Sequence, residues 1–324
     1  MDPSTSLQTA TSAKQIDAHT YTADFHPAWT IGTVPHGGFV TAAFLQVVRL
    51  HFDTTLKKQK QPHTLSLHLE FLRRTQTGAA KFVVKDVKLG RQTSVVHVTL
   101  SQDGREEVVG YVTNSNLSTE TGVTFATRWE LSPPAPAADV SKFDSDSEPN
   151  WGERHSWPFS DFRKATRGIR SMFPRNGQVA QNIVDEWLCC RNGENWTQEM
   201  LGSVVDTFPQ VLEHYVIGYD PYSVELEKRL KPGELEKQMS DSGAKMWYPT
   251  ILLNLEVKKA LPVEGVKWLF VRLQAKQIKN GRFDLEIIVM DAEGDLVALS
   301  HHVCFAVGSE RNLAVRRKDG EAKL

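Results

Sequence analysis

Residues 33–52 read TVPHGGFVTAAFLQVVRLHF, a proline, a histidine and two glycines standing directly before an uninterrupted apolar run. Within it Phe39, Ala42, Ala43, Gln46, Val47 and Leu50 recur at spacings of three and four, which predicts an amphipathic helix of about four turns. Alanine on that face lets strands come close. Gly37 and Gly38 at its mouth allow a sharp entry and leave the first N–H groups open to a ligand. His36, Gly37 and Gly38 are therefore candidate substrate-binding residues.

Downstream the period changes. In HTLSLHLEFLRR, Leu65, Leu67, Leu69 and Phe71 alternate with Ser66, His68 and Glu70, which is the pattern of a strand buried on one face. Valine-rich segments at 80–100 and 106–113 follow, broken by Gly90-Arg91 and Asp103-Gly104. One long helix followed by an antiparallel meander is the expected first half.

The second half echoes the first. Leu253-Asn254-Leu255-Glu256-Val257 matches Leu67-His68-Leu69-Glu70-Phe71 at an offset of 186 residues, and Asp291-Ala292-Glu293-Gly294 matches Ser101-Gln102-Asp103-Gly104 at 190. An internal duplication with one altered hairpin explains both. SPPAPAADVSKFDSDSEPN, residues 132–150, has the composition of an exposed linker. The predicted fold class is α+β, a double hotdog in which each copy wraps a curved antiparallel sheet around a central helix. The predicted units are a flexible terminus at 1–18, hotdog domains at 19–130 and 161–310, a linker at 131–160 and a flexible tail at 311–324. The second helix is placed at Thr207 to Tyr215, with Pro209 in its first turn.

Composition excludes several functions. Lys and Arg total 38 against 39 acidic residues, so no long-range field draws nucleic acid or an anionic surface. No run approaches the ~20 apolar residues of a membrane span, and the N-terminus lacks a basic region followed by an apolar core. Cys189, Cys190 and Cys304 read as buried free thiols of a reducing compartment. Ala322-Lys323-Leu324 is similar to a peroxisomal address. No Gly-x-Ser-x-Gly elbow, phosphate loop or metal-ligand spacing occurs, so neither a metal nor a nucleotide cofactor is expected.

The order of Trp29-Thr30-Ile31-Gly32, Pro35-His36-Gly37-Gly38, LHLEFLRRTQTG, Gly90-Arg91, Gly202-Ser203-Val204-Val205-Asp206 and WYPTILLNLEV resembles the acyl-CoA thioesterase II (TesB-like) double-hotdog family, in particular its fungal thioesterase-like branch. The resemblance spans residues 20–308 and implies an acyl thioester substrate. It also implies that an Asp, a Thr and a Gln hold the hydrolytic water. Here those positions fall on Asp206, Thr250 and, in place of Gln, His302, while Leu252-Leu253 replace the family's Asp-His pair. The segment from Asp206 to Thr250 is longer than in the bacterial pattern.

Burial is expected to raise the pKa of Asp206 toward neutrality, and a His at 302 can donate or act as base. Each residue also has an ordinary reading: Asp206 as a helix cap, Thr250 as a strand residue, His302 as a satisfied structural histidine. Along LVALSHHVCFAV, His302 shares a face with Ala298, Ser300, Cys304 and Ala306, whereas His301 shares one with bulky groups. Arg73, Arg74, Lys57, Lys58 and Lys60 are basic residues that would suit CoA phosphates, but basic residues flanking strands are usually just solvated, and none of them is counted among the candidate site residues. Two rivals to hydrolysis stay open at this level: a dehydratase, lyase or cyclase acting in the same cavity, and a non-catalytic acyl-binding protein. Association of copies through sheet edges into a homo-oligomer is a further expectation.

Overall fold

The computed structural model describes residues 6–207 and 210–314. The predicted helix is α1, Gly37–Asp53. It is buried all round rather than on one face: Val40, Phe44 and Val48 are as buried as Phe39, Ala43 and Val47. The first-half strands are β1 Thr20–Phe25, β2 His63–Phe71, β3 Gly78–Lys88, β4 Ser94–Gln102 and β5 Arg105–Ser115. The second half contributes β6 Trp151–Glu153, β7 Ile169–Pro174, β8 Ile183–Cys190, β9 Thr250–Val257, β10 Leu269–Gln274, β11 Arg282–Met290 and β12 Leu296–Phe305.

These strands form one continuous sheet, in the order β1-β3-β4-β5-β2-β9-β12-β11-β10-β8-β7-β6, with Lys14–Gln15 outside β1. The order reads almost the same from both ends. β2 and β9 meet antiparallel at its middle, with Leu69 opposite Leu253, Leu67 opposite Leu255 and His68 opposite Asn254. His68 and Asn254 are each other's repeat counterparts, so a pseudo-two-fold axis runs between them; their side chains bond at 2.7 Å. The sheet edge a lone hotdog would expose is thereby used up inside the chain.

The second central helix differs from expectation. Leu201–Val204 forms a short helix, α2, and Glu213–Ile217 a second, α3, with Asp206 and Thr207 in the turn after α2. Asp206 thus follows a helix rather than capping one. The residues from α3 to β9 are a helical insertion, including Val224–Arg229 and Glu234–Asp241.

Residues 131–160 are more than an exposed linker. Phe143 and Trp151 are buried with Trp187, Trp268 and Phe270 against the outer face of β8 and β10, and β6 pairs with β7. Near the N-terminus, Leu7 and Ala10 are buried, and the Leu7 N–H donates to Glu194. In the C-terminal segment, Asn312 is buried and accepts from the Thr33 N–H while donating to the Ile31 carbonyl. Among the described residues no helix is long and apolar enough to cross a membrane. Ala322-Lys323-Leu324 lies outside the described residues.

Candidate active site

The two central helices cross where neither has a side chain. A Cβ on Gly38 would stand 2.9 Å from the Gly202 carbonyl oxygen and 3.0 Å from the Ser203 Cα, and one on Gly202 would stand 2.6 Å from the Ala42 nitrogen. Gly37 makes room for chemistry instead, since its Cβ would lie 2.7 Å from Asp206 Oδ2. Neither glycine has a positive φ, so close approach, not a sharp turn, explains them. Gly38→Ala gives a direct check. The substitution favours an isolated helix by about 1 kcal/mol, yet here it should lower stability by about 1–3 kcal/mol through overpacking; chemical denaturation reads the sign.

Thr250 reaches the same point through a β-bulge. Leu253, Leu255 and Val257 face inward, so strict alternation would turn Thr250 outward. The register between β9 and β12 slips between Thr250 and Leu252, and Thr250 Oγ1 consequently donates to Asp206 Oδ1 at 3.1 Å. His302 enters from β12 on the inner face with Ala298, Ser300 and Cys304, as its neighbours in sequence predict, while His301 is exposed outward. Ser300 Oγ donates to the Asn254 carbonyl, so in its 2.9 Å contact with His302 it accepts from Nε2–H. Nδ1 faces Asp206 Oδ1 at 3.5 Å, longer than an ordinary hydrogen bond, and among the described residues has no other partner.

Asp206, Thr250 and His302 are therefore brought together, but unequally. Asp206 and Thr250 line a cleft of about 270 Å³, together with His36 and Gly37. His302 is fully buried behind the carboxylate and does not line the cleft. His36 Nε2 stands 3.7 Å from Asp206 Oδ2, and the first turn of α1 has no side-chain cap. Gly38 lies at the helix crossing behind this wall.

The charge state of Asp206 departs from expectation. Burial does push its pKa upward, but His302, His36 and the Thr250 hydroxyl together outweigh burial and hold it below the ordinary carboxylate range. Cys304, whose Sγ lies 3.7 Å from Thr250 Oγ1, is held well above the usual thiol range by burial and by Asp206, so it stays a thiol.

The far wall of the cleft was not legible beforehand. It includes Arg163, Thr207, Gln210 and the run Met246 to Pro249, largely from the insertion after Asp206. Arg163 is buried and ion-paired with Glu213, which also accepts from Tyr222 and, at 2.9 Å, from Tyr248. Burial and the Glu213 carboxylate raise both phenols well above their ordinary range, so both remain donors. The length of the segment between Asp206 and Thr250 was the available signal. Arg73 and Arg74 line the cleft, with Arg74 also bonded to the Arg311, Asn312 and Ala314 carbonyls. Lys57, Lys58 and Lys60 follow the opposite end of α1, away from it.

The pseudo-two-fold places a counterpart of this site in the first half. Asp206 packs on Gly38 as Ala42 packs on Gly202, so the counterpart of Asp206 is Ala42. Thr64, at an identical bulge in β2, corresponds to Thr250, and Val112, opposite Leu67, corresponds to His302. This counterpart space is about 10 Å³, and Arg49 on its wall stands 3.6 Å from Glu199. One half of the pair keeps the carboxylate and the room to use it. Elsewhere, His19, His51 and Asp86 bring ligand atoms within 4.8 Å of one another, a grouping that sequence spacing did not show. His51 there bonds Asp86 at 2.9 Å and Tyr21 at 2.8 Å.

Comparison with known proteins agrees with this architecture. Residues 25–115 match the acyl-CoA thioesterase N-terminal domain, and residues 133–306 match the acyl-CoA thioesterase C-terminal domain. The thioesterase-like protein TwmA of Talaromyces wortmannii is 36% identical over 339 residues, covering 97% of this chain and 96% of that protein. Among solved structures, a putative thioesterase II from Thermobifida fusca YX superposes with a TM-score of 0.66 at 18% identity, covering 94% of this chain and 99% of that one. Acyl-CoA thioesterase II TesB2 from Mycobacterium marinum gives 0.60 at 13% identity, with 97% and 100% covered. A hot dog fold protein from Alicyclobacillus acidocaldarius gives 0.63 at 14%, with 93% and 97% covered. The two domain matches and the full-length relative place the chain in the acyl-CoA thioesterase family, as a thioester hydrolase of double-hotdog fold.

Proposed function

We propose that the cleft hydrolyses an acyl-CoA thioester with a water deprotonated by Asp206. The observation that carries this reading is the Asp206 carboxylate itself: Oδ1 is fixed by Thr250, while Oδ2 faces the mouth of α1 beside His36. Oδ2 takes the proton as the water oxygen attacks the thioester carbonyl. The developing oxyanion is directed to the uncapped N–H groups at the start of α1, where the helix dipole favours negative charge. Collapse of the tetrahedral intermediate breaks the C–S bond, and the proton on Asp206 passes to the leaving CoA thiolate. Thr250 and His302 act as positioning residues, through the 3.1 Å bond to Oδ1 and the 3.5 Å packing of the imidazole against it.

The test is thiol release from a panel of short, medium and long acyl-CoAs. Hydrolysis of at least one class with saturable kinetics is expected. Absence of thiol from every ester would sink the reading. Conversion of a hydroxyacyl ester to its enoyl ester without thiol release would establish the non-hydrolytic alternative.

A further inference from the structure

We propose that this cleft selects a short acyl group carrying a hydroxyl, and that Gln210 is the residue that reads it. The inference rests on the cleft being the acyl site, as argued above. Gln210 lines the cleft and is 3% exposed, and its Oε1 is buried with no hydrogen-bond partner among the described residues. An unpartnered amide oxygen in such a place leaves its desolvation uncompensated. A methylene chain beside it leaves that cost standing, whereas an acyl hydroxyl donates to Oε1 and removes it.

The neighbouring wall has the same character. Thr207 spends its hydroxyl proton on the Ser203 carbonyl and keeps lone pairs to accept. Arg163 and Tyr248, both at the cleft, are held by Glu213 in a buried ionic network. Such a network is often no more stabilising than apolar residues of equal volume, and a straight-chain acyl pocket has no use for it. A polar acyl group does. Size points the same way, for about 270 Å³ lies under the ~300–1,000 Å³ of ordinary ligand pockets. Tyr248 is replaced at its repeat counterpart by Pro62, which has no hydroxyl to offer.

Two readouts test this on the full-length protein. The first compares kcat/KM for 3-hydroxybutyryl-CoA, butyryl-CoA and octanoyl-CoA, in wild type and Gln210→Leu. We expect the hydroxyacyl ester to exceed butyryl by about tenfold or more and octanoyl by a wider margin, since sites built to bond a substrate hydroxyl reject its analogue strongly. Gln210→Leu should bring the hydroxyacyl-to-butyryl ratio to within about threefold of unity. The second measures calorimetric binding of the non-hydrolysable thioethers S-(3-hydroxybutyl)-CoA and S-butyl-CoA to wild type, with the hydroxylated ligand about tenfold tighter. Equal or better use of butyryl-CoA overturns the inference and leaves hydrolysis standing. No thiol from any ester, with the thioethers still discriminated, overturns hydrolysis and leaves the hydroxyl selectivity standing. Thioethers bound equally overturn the selectivity whatever the kinetics show.

Discussion

Asp206→Asn should leave a folded protein whose thioester hydrolysis is slower by about 10²- to 10⁴-fold, the range a positioned general base supplies. Asparagine keeps the volume that Gly37 and Gly38 accommodate, and its Oδ1 still accepts from Thr250. What is lost is the lone pair that takes the proton. Folding is checked by thermal melting, which should move by no more than a few degrees. The pH profile adds a second readout. Because the folded carboxylate is held below its ordinary 3.8, the acid limb of kcat/KM should lie below that pH in wild type. Its charged form also contributes stability that is present above pH 3.8 and lost as pH falls through the depressed value. A variant retaining more than a tenth of wild-type activity would remove Asp206 from the role of base.

The second large effect concerns stability and a residue remote from the catalytic carboxylate. Glu186 on β8 is fully buried, and among the described residues neither carboxylate oxygen has a hydrogen-bond partner. Burial raises its pKa from 4.5 to about 8, outweighing the opposing influence of the nearby Ser171 hydroxyl. The folded protein therefore holds a proton that the unfolded chain releases above pH 4.5. Its contribution to stability is fully present below pH 4.5 and is lost as pH rises toward 8, at a limiting slope of about 1.4 kcal/mol per pH unit. Glu186→Gln removes that titration. Denaturant unfolding at pH 5, 6.5 and 8 should show the wild type weakening relative to the variant by several kcal/mol in total, on the order of the integrated slope. Parallel curves for the two proteins would contradict the assignment.

Much of this site follows from patterns readable in the chain, and its limits have physical causes. The helix behind TVPHGGFVTAAF and the strands around Leu67 and Leu255 declare themselves because periodicity is a local property. The orientation of Thr250 does not, because a bulge shifts the alternation by one residue and leaves no mark in composition. The same slip displaces Leu65 from the inner face and turns Thr64 inward. The broken second helix escaped because packing of Gly202 on α1, rather than helix propensity, fixes the path of the chain there. IVDEWLCC is buried on both faces even though it contains Asp185 and Glu186. Its outer face is covered by Phe143 and Trp151 from a segment with a linker's composition, and Asp185 is matched by Arg272 at 2.6 and 2.7 Å. Gln210 and Tyr248 lie in an insertion whose length was visible and whose contacts were not.

The axis between His68 and Asn254 has one more consequence. In a dimer of identical halves every substitution occurs twice, so a buried carboxylate, the histidine beside it and the gap in front of it must all be supported at two places. Joining the halves in one chain removes that obligation. Here Ala42 stands where a second Asp206 would be, Val112 where a second His302 would be, and Arg49 reaches toward Glu199 in what would be the second cleft. The first half has become a chaperoning surface for the chemistry of the other: it gives the helix mouth, the glycines and the packing, and carries no counterpart of the Asp206 carboxylate. Covalent fusion has turned a symmetric pair into a division of labour.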